Sequence, residues 1–282
     1  MTNRVVISAD STCDLSGELL ERFQIKIVPL TITLGEDSFP DDGRFLPDDM
    51  YRRYRADGTL PQTSAPGLQQ YVDFFAGLTA DGCSVVHLTI SSELSASYAN
   101  ACVAAEGMDD VHVVDSRMLS TGVGLLAIEG AEARDRGMDA AEIAALLRSM
   151  TGKVQTSFVL DTLEFMRKGG RCSGVAAFGA NLLRIKPALK MQEGKLEVYK
   201  KYRGGMEHVY RRYISEHLSG KRVRPGHVFL TDSGEVSEDT IEELAELVRS
   251  ITEAREIHHT TAGCTVSSHC GPKTLGVLFI EE

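Results

Sequence analysis

Val85-Val86-His87-Leu88-Thr89-Ile90 runs as a β-branched apolar strand straight into Ser91-Ser92-Glu93-Leu94-Ser95, and from there into a helical pattern. The first amides of a helix lack intrahelical partners and carry the positive end of its dipole. Hydroxyls placed beside them can therefore hold a carboxylate or a phosphate. In an open parallel sheet, ligands bind at this edge of the strands. A plain N-cap accounts for Ser92 or Ser95 equally well. Thr63 and Ser64 precede another predicted helix start, since Pro66 suits the first residue of a helix carrying Leu68, Tyr71, Val72, Phe75 and Leu78 on one face.

Other chemistry is open to the same residues. Ser95 or Ser92 as nucleophile, His269 as base and Asp10 or Asp115 as orienting carboxylate would make an esterase or thioesterase. A Gly-x-Ser-x-Gly elbow is missing. A sugar- or polyol-phosphate binder could use the same helix starts but needs a polar cavity. There is no Gly-x-x-x-x-Gly-Lys loop and no Gly-x-Gly-x-x-Gly fingerprint, so the sequence offers no nucleotide site. His258, His259, Cys264, His269 and Cys270 lie close in sequence, but their spacing matches no zinc pattern and strand neighbours point to opposite faces. No metal and no cofactor is expected.

The elements that must position these residues fall into two kinds. Through about Ser157 the pattern alternates strand and helix: strands at Arg4–Ala9, Ile25–Thr33, Val85–Ile90 and Val111–Val114, and helices at Glu18–Phe23, Asp49–Ala56, from Pro66, Ser95–Glu106, Met118–Arg136 and Asp139–Met150. Asp139 and Glu142 have capping-box spacing. This rhythm predicts a doubly wound parallel sheet over residues 1–157. From 158 to 282 the pattern changes to a basic Gly169-Gly170-Arg171 turn, a hairpin through Glu193-Gly194, helices at Gly205–His217 and Ser237–Ile251, and a last strand at Leu275–Ile280. A second α/β domain with a mixed or antiparallel sheet is expected there.

With 282 residues and 43% hydrophobic composition the chain can bury a substantial core. Its net charge of −10 disfavours nucleic acid and acidic membrane surfaces. No apolar run approaches the ~20 residues of a membrane span, the start lacks a signal-peptide core, and the six cysteines form no Cys-x-x-Cys pair. A reduced, cytoplasmic, monomeric protein without stable membrane insertion is expected.

Several segments together, in order and spacing, resemble the DegV family of bacterial fatty-acid-binding proteins. They are Asp10-Ser11-Thr12-Cys13-Asp14-Leu15, Val28-Pro29-Leu30, Thr63-Ser64-Ala65-Pro66, Ser91-Ser92-Glu93-Leu94-Ser95, Asp115-Ser116, Leu163 to Arg171, Ile185-Lys186-Pro187, Lys201-Tyr202-Arg203 and His269-Cys270-Gly271-Pro272. The resemblance covers nearly the whole chain. It implies a lipid-carrying subunit rather than an enzyme. A long-chain fatty acid such as palmitate or oleate would lie in an apolar tunnel, and its carboxylate would be offered to a separate ATP-dependent fatty acid kinase for conversion to acyl phosphate. By the same resemblance Thr63, Ser95 and His269 hold the carboxylate, with Ser64, Ser92 and Gly271 supporting, and Arg171 and Arg203 serve phosphoryl transfer with the kinase. Two helix starts converging on one anion would suit that role. Ala96 for a usual Gly, Ala65 for a usual Gln and Lys273 for a usual Gly depart from the family pattern.

Overall fold

Val5–Asp10 opens on Val5-Val6-Ile7 and is buried nearly throughout because it becomes β1, an inner strand of a parallel sheet covered by helices on both faces. In the computed structural model, which describes residues 4–172 and 185–282, β1 leads through α1 (Gly17–Arg22) to β2 (Lys26–Val28). A small antiparallel layer follows: β3 (Thr31–Leu34), β4 (Asp37–Pro40) and, after α2 (Pro47–Asp57), β5 (Gln62–Ser64). The chain then continues through α3 (Leu68–Thr79), β6 (Ser84–Thr89), α4 (Ser97–Ala104), β7 (Val111–Asp115), α5 (Thr121–Asp135) and α6 (Ala140–Met150). The second half runs β8 (Val154–Val159), α7 (Glu164–Gly169), β9 (Lys186–Gln192), β10 (Lys195–Tyr202), α8 (Met206–Leu218), β11 (Val223–Asp232), α9 (Glu238–Ile251), β12 (Glu256–Thr261), α10 (Cys264–Cys270) and β13 (Leu275–Glu281).

The first domain is doubly wound, with strand order β2-β1-β6-β7, all parallel. Tyr71 and Phe75 of α3 and Ala101 of α4 cover one face at Val85 and Val113, while α5 and α6 cover the other with Leu125, Ile128, Ile143 and Leu147. The second domain carries a mixed sheet of order β10-β9-β8-β13-β11-β12, antiparallel except for β11 and β12. Tyr213, Ile214, Leu244 and Val248 of α8 and α9 pack on one of its faces. The strand that spans residue 157, Val154–Val159, belongs wholly to this second sheet. Helix α5 touches strands of both sheets, and twelve of its residues are buried, so it forms the shared layer between the domains. None of the described helices is long and apolar enough to cross a membrane.

Three local outcomes differ from the sequence pattern. The strand expected over Ile25–Thr33 breaks at Pro29-Leu30 into β2 and β3, which join different sheets; proline has no N–H to give a ladder, and the Leu30 amide turns to Ser11 Oγ at 3.1 Å. Strands β11 and β12 add a parallel pair that the sequence did not announce. His269 lies in a short helix, α10, to which the sequence pattern assigns no element.

Candidate functional site

The carboxyl ends of β1 and β6 face an apolar cavity that the second domain closes. Leu30, Ile90, Leu94 and Leu119 line it from one side and Met166, Leu196, Val266 and Cys270 from the other, enclosing about 180 Å³. A second void behind it shares Leu119, Val266 and Cys270 and continues toward Phe158 and Leu278. Polar groups reach the first cavity at Thr63, Ser95, Thr265, His269 and Arg171, and Arg171 is the one charged residue among them.

His269 is held on two sides. Its Nε2 lies 3.1 Å from Thr63 Oγ1, a bond in which the tautomer decides the donor. Its Nδ1 is buried with no hydrogen-bond partner among the described residues and packs on Gly169, where a Cβ would stand 2.1 Å away. Burial, and secondarily the nearby charge of Arg171, push its pKa down to about 4. The imidazole is therefore neutral at pH 7, and its Nε2 and the Thr63 hydroxyl can present an N–H or O–H to an anion.

Helix α10, which carries His269, is held by carboxylates from the start of the chain. Asp41 accepts from the amides of Cys264 at 2.9 Å and Thr265 at 3.1 Å. Asp14 accepts from the Gly263 amide at 2.8 Å and from Ser120 Oγ at 2.6 Å. Burial raises the pKa of both. The sequence offered no signal for this role of Asp41, which sits in a loop with no pattern of its own. The hairpin tip Glu193-Gly194 closes the other flank: Ser91 Oγ donates to the Gly194 carbonyl at 2.7 Å, and Arg117 donates to the Glu193 carbonyl. Both tip residues have positive φ, 50° and 82°, as a tight hairpin turn requires.

Of the residues singled out in the sequence, Thr63, Ser95, His269 and Arg171 border this cavity. Thr63 does so from strand β5, not from a helix start as expected, because α3 begins only at Leu68. Ser95 stands before the cap of α4, which is Ala96, and its Oγ accepts from the Ser97 amide at 3.2 Å. Ser64 is exposed. Ser92 turns away to bind Asp115 through Oγ at 2.6 Å. Gly271 ends α10 at φ 76°, its carbonyl accepting from Ser233, and a Cβ there would meet the Phe165 ring at 2.6 Å. Arg171 donates to the Gly169 carbonyl at 2.8 Å. Arg203 is exposed after β10 and lies outside the cavity lining.

No serine-histidine-carboxylate relay is assembled among these residues. Ser95 bonds Ser97, His269 bonds Thr63, Asp115 bonds Ser92, and Asp10 accepts from Thr12 and from the Ile90 amide at 2.9 Å. The histidines and cysteines close in sequence also separate. His259 reaches Asp232 at 2.7 Å, His258 reaches His227 at 2.9 Å, and Cys264 donates to the Phe45 carbonyl at 3.2 Å.

The family model "Uncharacterised protein, DegV family" matches residues 4–282. The chain belongs to the DegV family. A DegV domain-containing protein of Deinococcus radiodurans is 30% identical over 97% of both chains, and one from Clostridium perfringens is 27% identical over 99% of both. Among solved structures, a fatty-acid-binding DegV family protein from Thermus thermophilus has a TM-score of 0.87 at 28% identity, covering 99% of this chain and 100% of its own. A DegV lipid-binding protein from Thermotoga maritima has a TM-score of 0.86 at 26% identity, covering 99% and 98%. Against the DegV pattern, Ala65 and Ala96 both line the cavity, and Lys273 sits at φ 58°, a conformation in which glycine is unstrained.

Proposed function

We propose that this DegV protein binds a long-chain fatty acid, such as palmitate or oleate, with the carboxylate at Thr63, Ser95 and His269 and the chain running between the domains toward Phe158 and Leu278. One observation carries this reading: a chiefly apolar cavity is reached by three hydroxyls, a neutral imidazole and a single guanidinium. A sugar phosphate would leave the apolar wall unused. Transfer of the chain from water into such a wall gains about 0.8 kcal/mol per methylene before ordering costs. The enclosed 180 Å³ is below the ~300–1,000 Å³ usual for ligand sites and the second void adds only about 20 Å³, so the chain must widen the passage as it enters. The names of the Thermus thermophilus and Thermotoga maritima relatives support the same ligand class.

In the same reading the protein is not the catalyst. It offers the carboxylate, in the cytoplasm, to a separate ATP-dependent kinase that forms the acyl phosphate. Exposed Arg203, carried over from the family resemblance, serves that partner, while Arg171 stays with the head group. Solvent extraction of purified protein followed by mass spectrometry tests the binding step, with about one fatty acid per chain expected. Recovery of no lipid, together with no thermal shift on adding palmitate or oleate, refutes it.

A further inference from the structure

A second cluster of ligating groups lies where β11 and β12 run parallel. The register pairs His227 with Glu256 and Phe229 with His258, so His227, Glu256 and His258 rise from one face of two neighbouring strands. His227 Nδ1 and His258 Nε2 are 2.9 Å apart, Glu256 Oε2 is 3.7 Å from His258 Nε2, and one ligand atom from each of the three residues lies within 4.8 Å of the others. The opposite nitrogen of His227 stands 3.4 Å from Glu132 Oε1 of α5. Arg22 of α1 holds both oxygens of Glu256, at 2.6 and 2.7 Å. Phe23 meets the His227 ring edge-on at 5.7 Å, and Phe229 lies 4.8 Å from the His258 ring.

Histidines that hold metals commonly pass their other N–H to a carboxylate, which fixes tautomer and ring orientation, and an apolar wall limits solvent around them. His227 has such a partner in Glu132, and Phe23 and Phe229 supply the wall. We propose that His227 Nδ1, His258 Nε2 and the Glu256 carboxylate bind a divalent transition-metal ion of the zinc class, with water in the fourth position. Two histidines and a carboxylate form a donor set suited to zinc, with Zn–N bonds of about 2.0–2.1 Å. Tetrahedral bonds of that length put the two nitrogens about 3.3 Å apart, so the rings separate by a few tenths of an ångström as the ion enters. Glu256 turns one oxygen from Arg22 to the metal. The ligands come from the second domain, while Glu132 and Arg22 come from α5 and α1, so the ion fastens the seam between the domains.

The site is independent of fatty-acid binding. It departs from the expectation of no metal because His227 is brought to His258 and Glu256 by strand pairing across an intervening helix. The test uses full-length, tag-free protein stripped with a chelator and titrated with Zn²⁺ against a chromogenic indicator, and in parallel with Co²⁺. One equivalent of Zn²⁺ and the visible absorption of four-coordinate Co²⁺ are expected. His227→Gln and His258→Gln each lower Zn²⁺ affinity by about 100-fold or more and Glu132→Gln by about tenfold, while His259→Gln leaves it unchanged. The proposal is overturned if the unsubstituted protein takes up no Zn²⁺ at about 100 μM, if Co²⁺ gives only a six-coordinate spectrum, or if His258→Gln binds as tightly as the unsubstituted protein.

Discussion

Replacing Gly169 with alanine places a methyl where the His269 imidazole already lies. An ideal Cβ at that position is 2.1 Å from Nδ1, 3.0 Å from Cε1 and 3.2 Å from Cγ, so the contact is with a ring and not with the end of a flexible chain. The ring is pinned on its far side by Thr63 at 3.1 Å and cannot yield without losing that bond. Overpacking of this kind costs about 1–3 kcal/mol, and the lost hydrogen bond about 0.5–1.5 kcal/mol. Gly169→Ala should therefore lower the urea midpoint by the equivalent of about 1.5–4.5 kcal/mol, a large share of the ~5–15 kcal/mol that holds a typical domain folded. It should also weaken fatty-acid binding at least about tenfold, since a charge-assisted bond to the carboxylate is worth about 1.5–3 kcal/mol. The control is its neighbour. Gly170 has φ 68° with nothing within 4 Å of an added Cβ, so Gly170→Ala costs about 1–2 kcal/mol of backbone strain and leaves affinity intact. Adding His269→Ala to Gly169→Ala should recover stability but not binding. Equal midpoints and affinities in Gly169→Ala and the unsubstituted protein would refute this account of the site.

Thr63→Ala and Ser95→Ala should each raise the fatty-acid dissociation constant roughly 10- to 150-fold, corresponding to about 1.5–3 kcal/mol, and the double variant should purify without lipid; unchanged lipid content with an intact fold would move the head group elsewhere. The depressed pKa of His269, about 4 against an ordinary 6.5, means that its contribution to stability is fully present above pH 6.5 and is lost as pH falls through 4. Burial of Asp10, raised to about 6, acts in the opposite sense, its contribution being present below pH 3.8 and lost as pH rises through 6. The measurable quantity is thus the stability gap between the unsubstituted protein and His269→Gln, which should narrow from pH 7 to pH 4, and a constant gap would contradict it. Arg203→Ala should leave lipid binding unchanged and depress acyl phosphate formation, trapped with hydroxylamine, when an ATP-dependent fatty acid kinase is supplied; full turnover would end that role. Lys273→Gly should stabilise by about 1 kcal/mol or less, because it removes left-handed strain but frees the unfolded chain, and a thermal melt decides the sign.

The parts of the fold that could be read in advance are those whose cause is local. Strands β1 and β6 are covered on both faces and so carry β-branched apolar stretches at Val5-Val6-Ile7 and Val85-Val86, Glu193-Gly194 carries its turn in its own dihedrals, and Asp139 with Glu142, three positions on, closes a capping box. What stayed hidden depends on distant partners. Strand β11 contains Pro225-Gly226 and shifts register between Val223 and Val228, while β12 is a polar edge strand whose histidines find His227 and Asp232 only after pairing. At the site, Thr63, Ser95 and His269 all border one cavity, yet their neighbours Ser64 and Ser92 do not. Spacing along a chain places a serine near an edge, and only the pleat or a partner such as Asp115 decides where its hydroxyl points.

The two carboxylates that hold α10 also constrain when the site can exist. A seven-residue helix is far below the ~12–15 residues at which isolated helices become even marginal in water. Its stabilising partners lie 249 residues upstream at Asp14, measured from Gly263, and 223 upstream at Asp41, measured from Cys264. A chain emerging from the ribosome can form the first parallel sheet from residues already made, but His269 has no fixed position until the late segment has been synthesised and has found those early carboxylates. Ligand capture is therefore a property of the finished chain. A nascent chain stalled after the whole first domain has been made and released from the ribosome, but before residue 264, should show a protease-resistant first domain and no retained fatty acid.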